Sequence, residues 1–115
     1  MAKYEERFRG NFDDFLGFLE KGIRSRSVTS SYEERSDYER NGVRCAVRAY
    51  ERYSMIGGSR VSLTFVLIGV DDDLFVSVIS TGGSQAMLIK INTIGETNFL
   101  RSTIKIIEEY KKGHK

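Results

Sequence analysis

A set of glycine-rich and acidic dipeptides constrains this chain more than any other feature. Asn41-Gly42, Gly57-Gly58 and Gly82-Gly83, with Asp71-Asp72-Asp73 between the last two, cut residues 27–92 into runs of alternating apolar and polar residues. Glycine and asparagine accept the positive φ that tight hairpin turns demand, so such dipeptides between alternating runs signal β-hairpins. Successive hairpins make an antiparallel meander. Helical spacing flanks it on both sides. Phe12, Phe15, Leu16, Leu19 and Ile23 predict a helix over residues 12–24. Asn11 is placed to cap that helix, and Asp13 and Asp14 sit at the positive end of its dipole. Gly17 and Gly22 lower its intrinsic helicity, with Gly22 marking fraying near its end. Phe99, Leu100, Thr103, Ile104, Ile107 and Tyr110 predict a second helix over 97–111, closed by Lys111, Lys112 and Gly113. Residues 3–9 alternate loosely and admit a short first strand. The expected fold is therefore α+β: one domain over residues 1–115, with an antiparallel β-meander of five to six strands. An N-terminal and a C-terminal helix pack on one face.

Register follows from the turns. A two-residue turn at Asn41-Gly42 pairs Arg40 with Val43, Tyr38 with Cys45, Ser36 with Val47, Glu39 with Arg44 and Arg35 with Arg48. One at Asp71-Asp72 pairs Leu67 with Val76 and Phe65 with Val78, and one at Gly82-Gly83 pairs Val78 with Met87 and Val76 with Ile89. Val61, Leu63, Phe65, Leu67, Leu74, Val76, Val78, Met87, Ile89 and Ile91 then share the face that carries the helices. At Gly57-Gly58 a two-residue turn would set Val47 and Phe65 on opposite faces. An odd-numbered loop or a bulge near 56–59 would unite the two apolar faces, because side-chain direction has period two. That reading turns Val43, Cys45 and Val47 inward and Arg44, Arg48, Tyr50 and Arg52 outward.

The far face of strands 61–70, 73–81 and 85–91 is unusually apolar. Val66, Ile68, Val70, Phe75, Ile79, Ala86 and Leu88 alternate onto it, where a solvent-facing sheet would be mostly polar. Contiguous apolar patches of this kind mark interaction sites. Val66, Ile68, Phe75, Ile79 and Leu88 are therefore the candidate interface, with cover by the chain's own segments as the competing explanation. Gly57, Gly58, Gly82, Gly83 and Ser84 form candidate ligand loops, since amides of glycine-rich turns can cradle anions. Neither loop leads into a helix with a Walker lysine, so hairpin turns explain both more simply. Arg44, Arg48 and Arg52 with Tyr50 imitate a nucleic-acid stripe, but Glu33, Asp37 and Glu39 on the neighbouring strand would neutralise it. The pattern argues for a cross-strand charge ladder and against nucleic acid.

The remaining inventory bounds chemistry. The net charge is +2, and proline is absent from the 115 residues. The one histidine, His114, lies near the C-terminus, which leaves Ser-His or Cys-His catalysis without a base. Glu33-Glu34 and Glu108-Glu109 sit where solvated charges sit, and Asp71-Asp72-Asp73 lacks the spacing of a calcium loop. No catalytic residue, metal or cofactor is expected. The single cysteine, Cys45, cannot form an internal bridge, which suits a reducing cytosol. No apolar run approaches a membrane span, and residues 1–7 lack the apolar core of a signal peptide. The expected setting is cytoplasmic, with no membrane partner.

The stretches Tyr50-Glu51-Arg52-Tyr53-Ser54-Met55-Ile56-Gly57-Gly58-Ser59-Arg60-Val61-Ser62-Leu63, Ser80-Thr81-Gly82-Gly83-Ser84-Gln85-Ala86 and Lys90-Ile91-Asn92-Thr93-Ile94-Gly95-Glu96 resemble a small uncharacterised bacterial protein family, a domain of unknown function. The resemblance implies a bacterial, cytosolic setting and no transferable activity. The architecture also resembles, loosely, a helix-grip arrangement, an analogy of fold alone. These features together predict a non-enzymatic interaction module, homodimeric through the apolar sheet face. The alternative is a small-molecule binding domain with its pocket between the sheet and the C-terminal helix, and a protein partner would suit the same surface.

Overall fold

The computed structural model describes residues 2–26, 32–53, 60–82 and 89–113. Strand β1 (Ala2–Arg9) precedes helix α1 (Phe12–Arg26). Strands β2 (Tyr32–Arg40), β3 (Val43–Tyr53), β4 (Arg60–Val70) and β5 (Asp73–Thr81) follow, then helix α2 (Ile89–Gly113). The strands form one antiparallel sheet in the order β1-β5-β4-β3-β2. It is an α+β fold with both helices against one face of the sheet.

Local chemistry explains the elements. Asn41 and Gly42 both take positive φ, 53° and 81°, the combination a two-residue type I′ turn requires. Asp71 at φ 55° opens the two-residue turn between β4 and β5. The Asn11 side-chain oxygen accepts the Asp14 N–H at 2.9 Å, and its carbonyl accepts the Phe15 N–H at 2.9 Å. That is the N-cap arrangement that satisfies otherwise orphaned amides. The β2–β3 and β4–β5 registers match those expected from the turns.

Two expectations about the sheet fail. Residues 89–91 belong to α2, not to a strand paired with β5. The place beside β5 is taken by β1, with Tyr4 opposite Val78 and Glu6 opposite Val76. The physical reason is that a short apolar alternation such as Met87, Ile89, Ile91 does not separate helix from strand. Met87, Ala86 and Leu88 lie outside the described residues. The second failure is the parity of the β3–β4 connection. Tyr53 pairs with Arg60, and Val47 pairs with Val66 while Arg48 pairs with Phe65. The intervening count is even, so Val47 and Phe65 point to opposite faces. The arginine-bearing side of β3 faces the helices, and Cys45 faces away from them.

The arginines fit beneath the helices because each finds a partner there. The Arg44 guanidinium lies 4.2 Å from the centre of the Phe12 ring and donates two bonds of 2.9 Å to Asp13. Arg52 lies 4.1 Å from the centre of the Phe99 ring. Arg48, 1% exposed, donates to Glu20 at 2.5 Å, Asp37 at 2.9 Å and the Val47 carbonyl at 2.9 Å. Burial pulls its pKa down, but the bonds to Glu20 and Asp37 prevail and raise it. A planar guanidinium can thus stack on rings and satisfy several acceptors at once.

The rest of the interior is apolar. Phe15, Leu19 and Ile23 of α1 and Phe99, Ile106 and Ile107 of α2 cover Leu63, Phe65, Leu67, Leu74, Val76 and Val78. Phe8, Phe15 and Tyr110 meet edge to face, with centroids 4.9 and 5.0 Å apart about Phe15. Gly22 does not mark fraying: it sits where α1 and α2 cross, and a Cβ there would lie 2.7 Å from Ile106 Cγ2. Among the described residues, no helix is long and apolar enough to cross a membrane.

Candidate functional site: the open face of the sheet

Since both helices occupy one face, the other can be built row by row from the strand pairing. One row runs Tyr38, Cys45, Ile68, Phe75, Arg7, and the next Ser36, Val47, Val66, Ser77, Glu5. On either side run Arg40, Val43, Val70, Asp73, Arg9 and Glu34, Ala49, Thr64, Ile79, Lys3. The middle of every row is apolar or small. Tyr38 is 62% exposed, Val70 44%, Val43 41% and Ile79 39%. Val66, Ile68, Phe75, Cys45 and Val47 are half-buried by their neighbours. Among the described residues nothing packs over this face.

The rim is polar. Arg7 forks onto Asp73 at 3.0 and 2.8 Å, and Arg9 reaches Asp72 at 3.1 Å. The bonds from Arg7 hold the Asp73 carboxyl below its ordinary range, and Asp73 in turn raises Arg7. Ser77 donates to Glu5 at 3.2 Å, and the Ser62 and Thr81 hydroxyls lie 2.5 Å apart. Arg60 reaches Glu51 at 3.4 Å. An apolar centre with a satisfied polar rim is the anatomy of a protein interface.

Val66, Ile68, Phe75 and Ile79 are brought together here, as the sequence suggested. Leu88, Gly57, Gly58, Gly83 and Ser84 lie outside the described residues, and Gly82 directly follows β5. Val43, Cys45, Val47 and Tyr38 join the face unexpectedly, because the parity of the β3–β4 connection puts them there. The Arg44, Arg48 and Arg52 stripe is not an exposed ladder, since its guanidinium groups are engaged beneath α1 and α2. Of the carboxylate pairs, Glu33 reaches Arg24 at 3.5 Å and Glu109 reaches Arg26 at 2.9 Å. His114 lies outside the described residues.

No group of three or more His, Cys, Asp or Glu among the described residues could hold a metal ion. A depression of about 270 Å³ at the β2–β3 turn is lined by Phe12, Asp37, Tyr38, Glu39, Arg44 and Cys45. Another, of about 290 Å³, lies between the helices beside Phe18, Gly22 and Ile106. Near the β2 side of the interior, the Tyr50 hydroxyl and Glu33 Oε2 are buried with no hydrogen-bond partner among the described residues. Burial, then the charges of Glu33 and Glu20, push the Tyr50 pKa up.

A family model described as a family of unknown function, DUF6054, matches residues 1–111. The chain belongs to the DUF6054 family. The match spans all five strands, α1 and nearly all of α2, so the open face lies wholly within the DUF6054 region. No curated protein and no solved structure matches the chain. A functional reading of this DUF6054 member therefore rests on its geometry.

Proposed function

We propose that this chain is a non-enzymatic interaction module that forms a homodimer through the open face of its sheet. The observation that carries the reading is the run of apolar rows around Ile68, Phe75, Val66 and Ile79, with ion pairs such as Arg7–Asp73 and Arg60–Glu51 at the rim. Five strands at ~4.8 Å spacing and rows spanning eight residues at ~3.3 Å give a face of roughly 600–700 Å². That approaches the ~800 Å² per partner of a standard interface. A two-fold axis lets one patch cover its own copy, and two-fold dimers are the commonest assembly. Two such sheets stack face to face at about 10 Å.

Sedimentation velocity tests the reading. Ile68→Lys or Ile79→Lys should halve the assembled mass while far-UV circular dichroism stays unchanged, because an unpaired charge is costly in an interface and tolerable in water. An unchanged mass in both variants would reject it. A second reading, a small-molecule pocket between the sheet and α2, draws on the Tyr50 hydroxyl and Glu33 Oε2, which are buried with no hydrogen-bond partner among the described residues. Native mass spectrometry of the purified protein, showing a retained ligand that Tyr50→Phe loses, would favour it.

A further inference from the structure

The edge of the sheet at β2 carries a second signal, independent of the apolar face. Among the described residues β2 pairs with β3 alone. Seven consecutive residues, Glu34 to Arg40, are exposed. Long edge strands are usually blunted by charged side chains, lysine above all, by proline, by a bulge or by brevity, and β2 relies on its charges alone. β2 has no lysine and no proline, runs for nine residues and keeps an unbroken register with β3. Arg40 and Val43 close a two-residue turn and form a hydrogen-bonded pair. The even-numbered residues of β2 therefore point their backbone groups at β3. Glu33, Arg35, Asp37 and Glu39 point theirs outward; the Arg35 N–H donates to Glu34 Oε1 at 3.2 Å, a local bond that an incoming strand would replace.

The charges of β2 are ordered, not merely abundant. Consider an antiparallel second copy of β2 related by a two-fold axis through Asp37. Glu34 then stands opposite the copy's Arg40 on the open face, and Arg35 opposite its Glu39 on the helix face. Each pairing occurs twice by symmetry, and opposite charges across strands attract. Asp37 meets its own copy, but each carboxylate is already held by Arg48 at 2.9 Å. Hydrogen-bonded pairs fall at Asp37 and at Arg35 with Glu39, matching the outward-pointing backbone. Moving the axis to Ser36 sets Glu33 against Glu39 twice and cancels the gain of Arg35 against Asp37. Moving it to Tyr38 sets Asp37 against Glu39 twice. Among the described ion pairs, Glu39 and Arg40 take part in none.

The opposite edge gives a control. A copy of β1 centred on Glu6 would face Glu5 with Arg7 but also Lys3 with Arg9, so gain and loss cancel. One centred on residue 5 would face Lys3 with Arg7, and one centred on residue 7 would face Glu5 with Arg9 but Arg7 with itself. Arg7 and Arg9 are moreover tied to Asp73 and Asp72. No register there sets opposite charges together at four positions, as the Asp37 register of β2 does.

We infer that β2 is a second self-association edge, at which two copies join antiparallel about Asp37 into one continuous ten-stranded sheet. The occupant is another copy of this chain, because the complementarity is that of the strand with itself. The edge lies at right angles to the apolar face, so the two contacts can coexist and together build a tetramer.

The test is a charge swap read by sedimentation equilibrium, in the wild type and in Ile68→Lys. Arg40→Glu places like charges opposite each other at both symmetry-related positions and should weaken edge association roughly tenfold or more. The double variant Glu34→Arg with Arg40→Glu restores the pairing in reversed polarity and should recover the wild-type constant. In Ile68→Lys, the edge dimer should remain and respond to the same swap. A mass unaffected by Arg40→Glu, or no recovery in the double variant, would overturn the proposal, as would an edge that takes a foreign strand instead. If Ile68→Lys leaves the mass unchanged while the swap acts, the face reading fails and the edge stands.

Discussion

The crossing of α1 and α2 yields a prediction of opposite sign for one substitution at two sites. Gly17 and Gly22 both lie inside α1. Replacing glycine by alanine within a helix stabilises by about 0.5–1 kcal/mol, through lower chain entropy in the unfolded state and better propensity. At Gly17 a new Cβ meets nothing within 4 Å, so Gly17→Ala should show that full gain. At Gly22 the Cβ would lie 2.7, 3.0 and 3.1 Å from three carbons of Ile106, which is 1% exposed and, being β-branched, is held to few χ1 rotamers in its helix. Overpacking of this kind costs about 1–3 kcal/mol. Setting that against the propensity gain leaves Gly22→Ala neutral to destabilised, by roughly 0–2.5 kcal/mol. Urea unfolding followed by far-UV circular dichroism, with slopes compared to confirm like transitions, measures both. Adding Ile106→Ala should make alanine at 22 neutral or favourable relative to Ile106→Ala alone. Equal gains at Gly17 and Gly22 would refute the close helix crossing.

Three further outcomes follow from the interior. Phe65 is fully buried, so Phe65→Ala should cost about 3–5 kcal/mol in guanidinium unfolding. Arg48→Ala leaves the Glu20 carboxylate facing the interior without its nearest cation and should cost roughly 3–5 kcal/mol, with Arg48→Lys a poor rescue because an ammonium lacks the fork. The bond from Lys111, then that from Tyr4, holds the Glu6 carboxyl below the usual carboxylate range. A depressed folded pKa gives stability that is present above the unfolded value and lost as pH falls through the folded one. Unfolding midpoints should therefore drop below about pH 4.5, more shallowly in Glu6→Gln.

Elements whose signal is local were legible. The Asn41-Gly42 turn, the Asn11 cap and the alternation of Leu63, Phe65 and Leu67 each depend on a few neighbouring residues, and each is realised. The candidate face was legible on β4 and β5 for the same reason. The facing of β3 was not, because binary patterning treats arginine as a surface residue. Here Arg44 and Arg52 lie over rings, and Arg48 is enclosed by two carboxylates and backbone carbonyls. A weaker signal existed. Asp13 and Glu20 stand two helical turns apart, ~10.5 Å along α1. Arg44 and Arg48 stand ~13 Å apart along a strand, close enough for the two pairs to meet. The place of β1 depended on contacts across more than sixty residues of chain, with Arg9 opposite Asp73, and no short-range pattern encodes that.

The pairing of Tyr53 with Arg60 works as a parity bit for the whole sheet. A slip of that register by one residue turns every side chain of the slipped strand to the other face. It would roll the β2–β3 hairpin, drawing Val43, Cys45 and Val47 under the helices and casting Arg44, Arg48 and Arg52 into solvent. Asp13 and Glu20 would lose their cations in the same step. A slip of two residues keeps the facing but carries each arginine away from its acceptor. Residues added to the connection itself change neither, as long as Tyr53 still meets Arg60. The arginines beneath the helices therefore lock the register of the hairpin against the rest of the sheet.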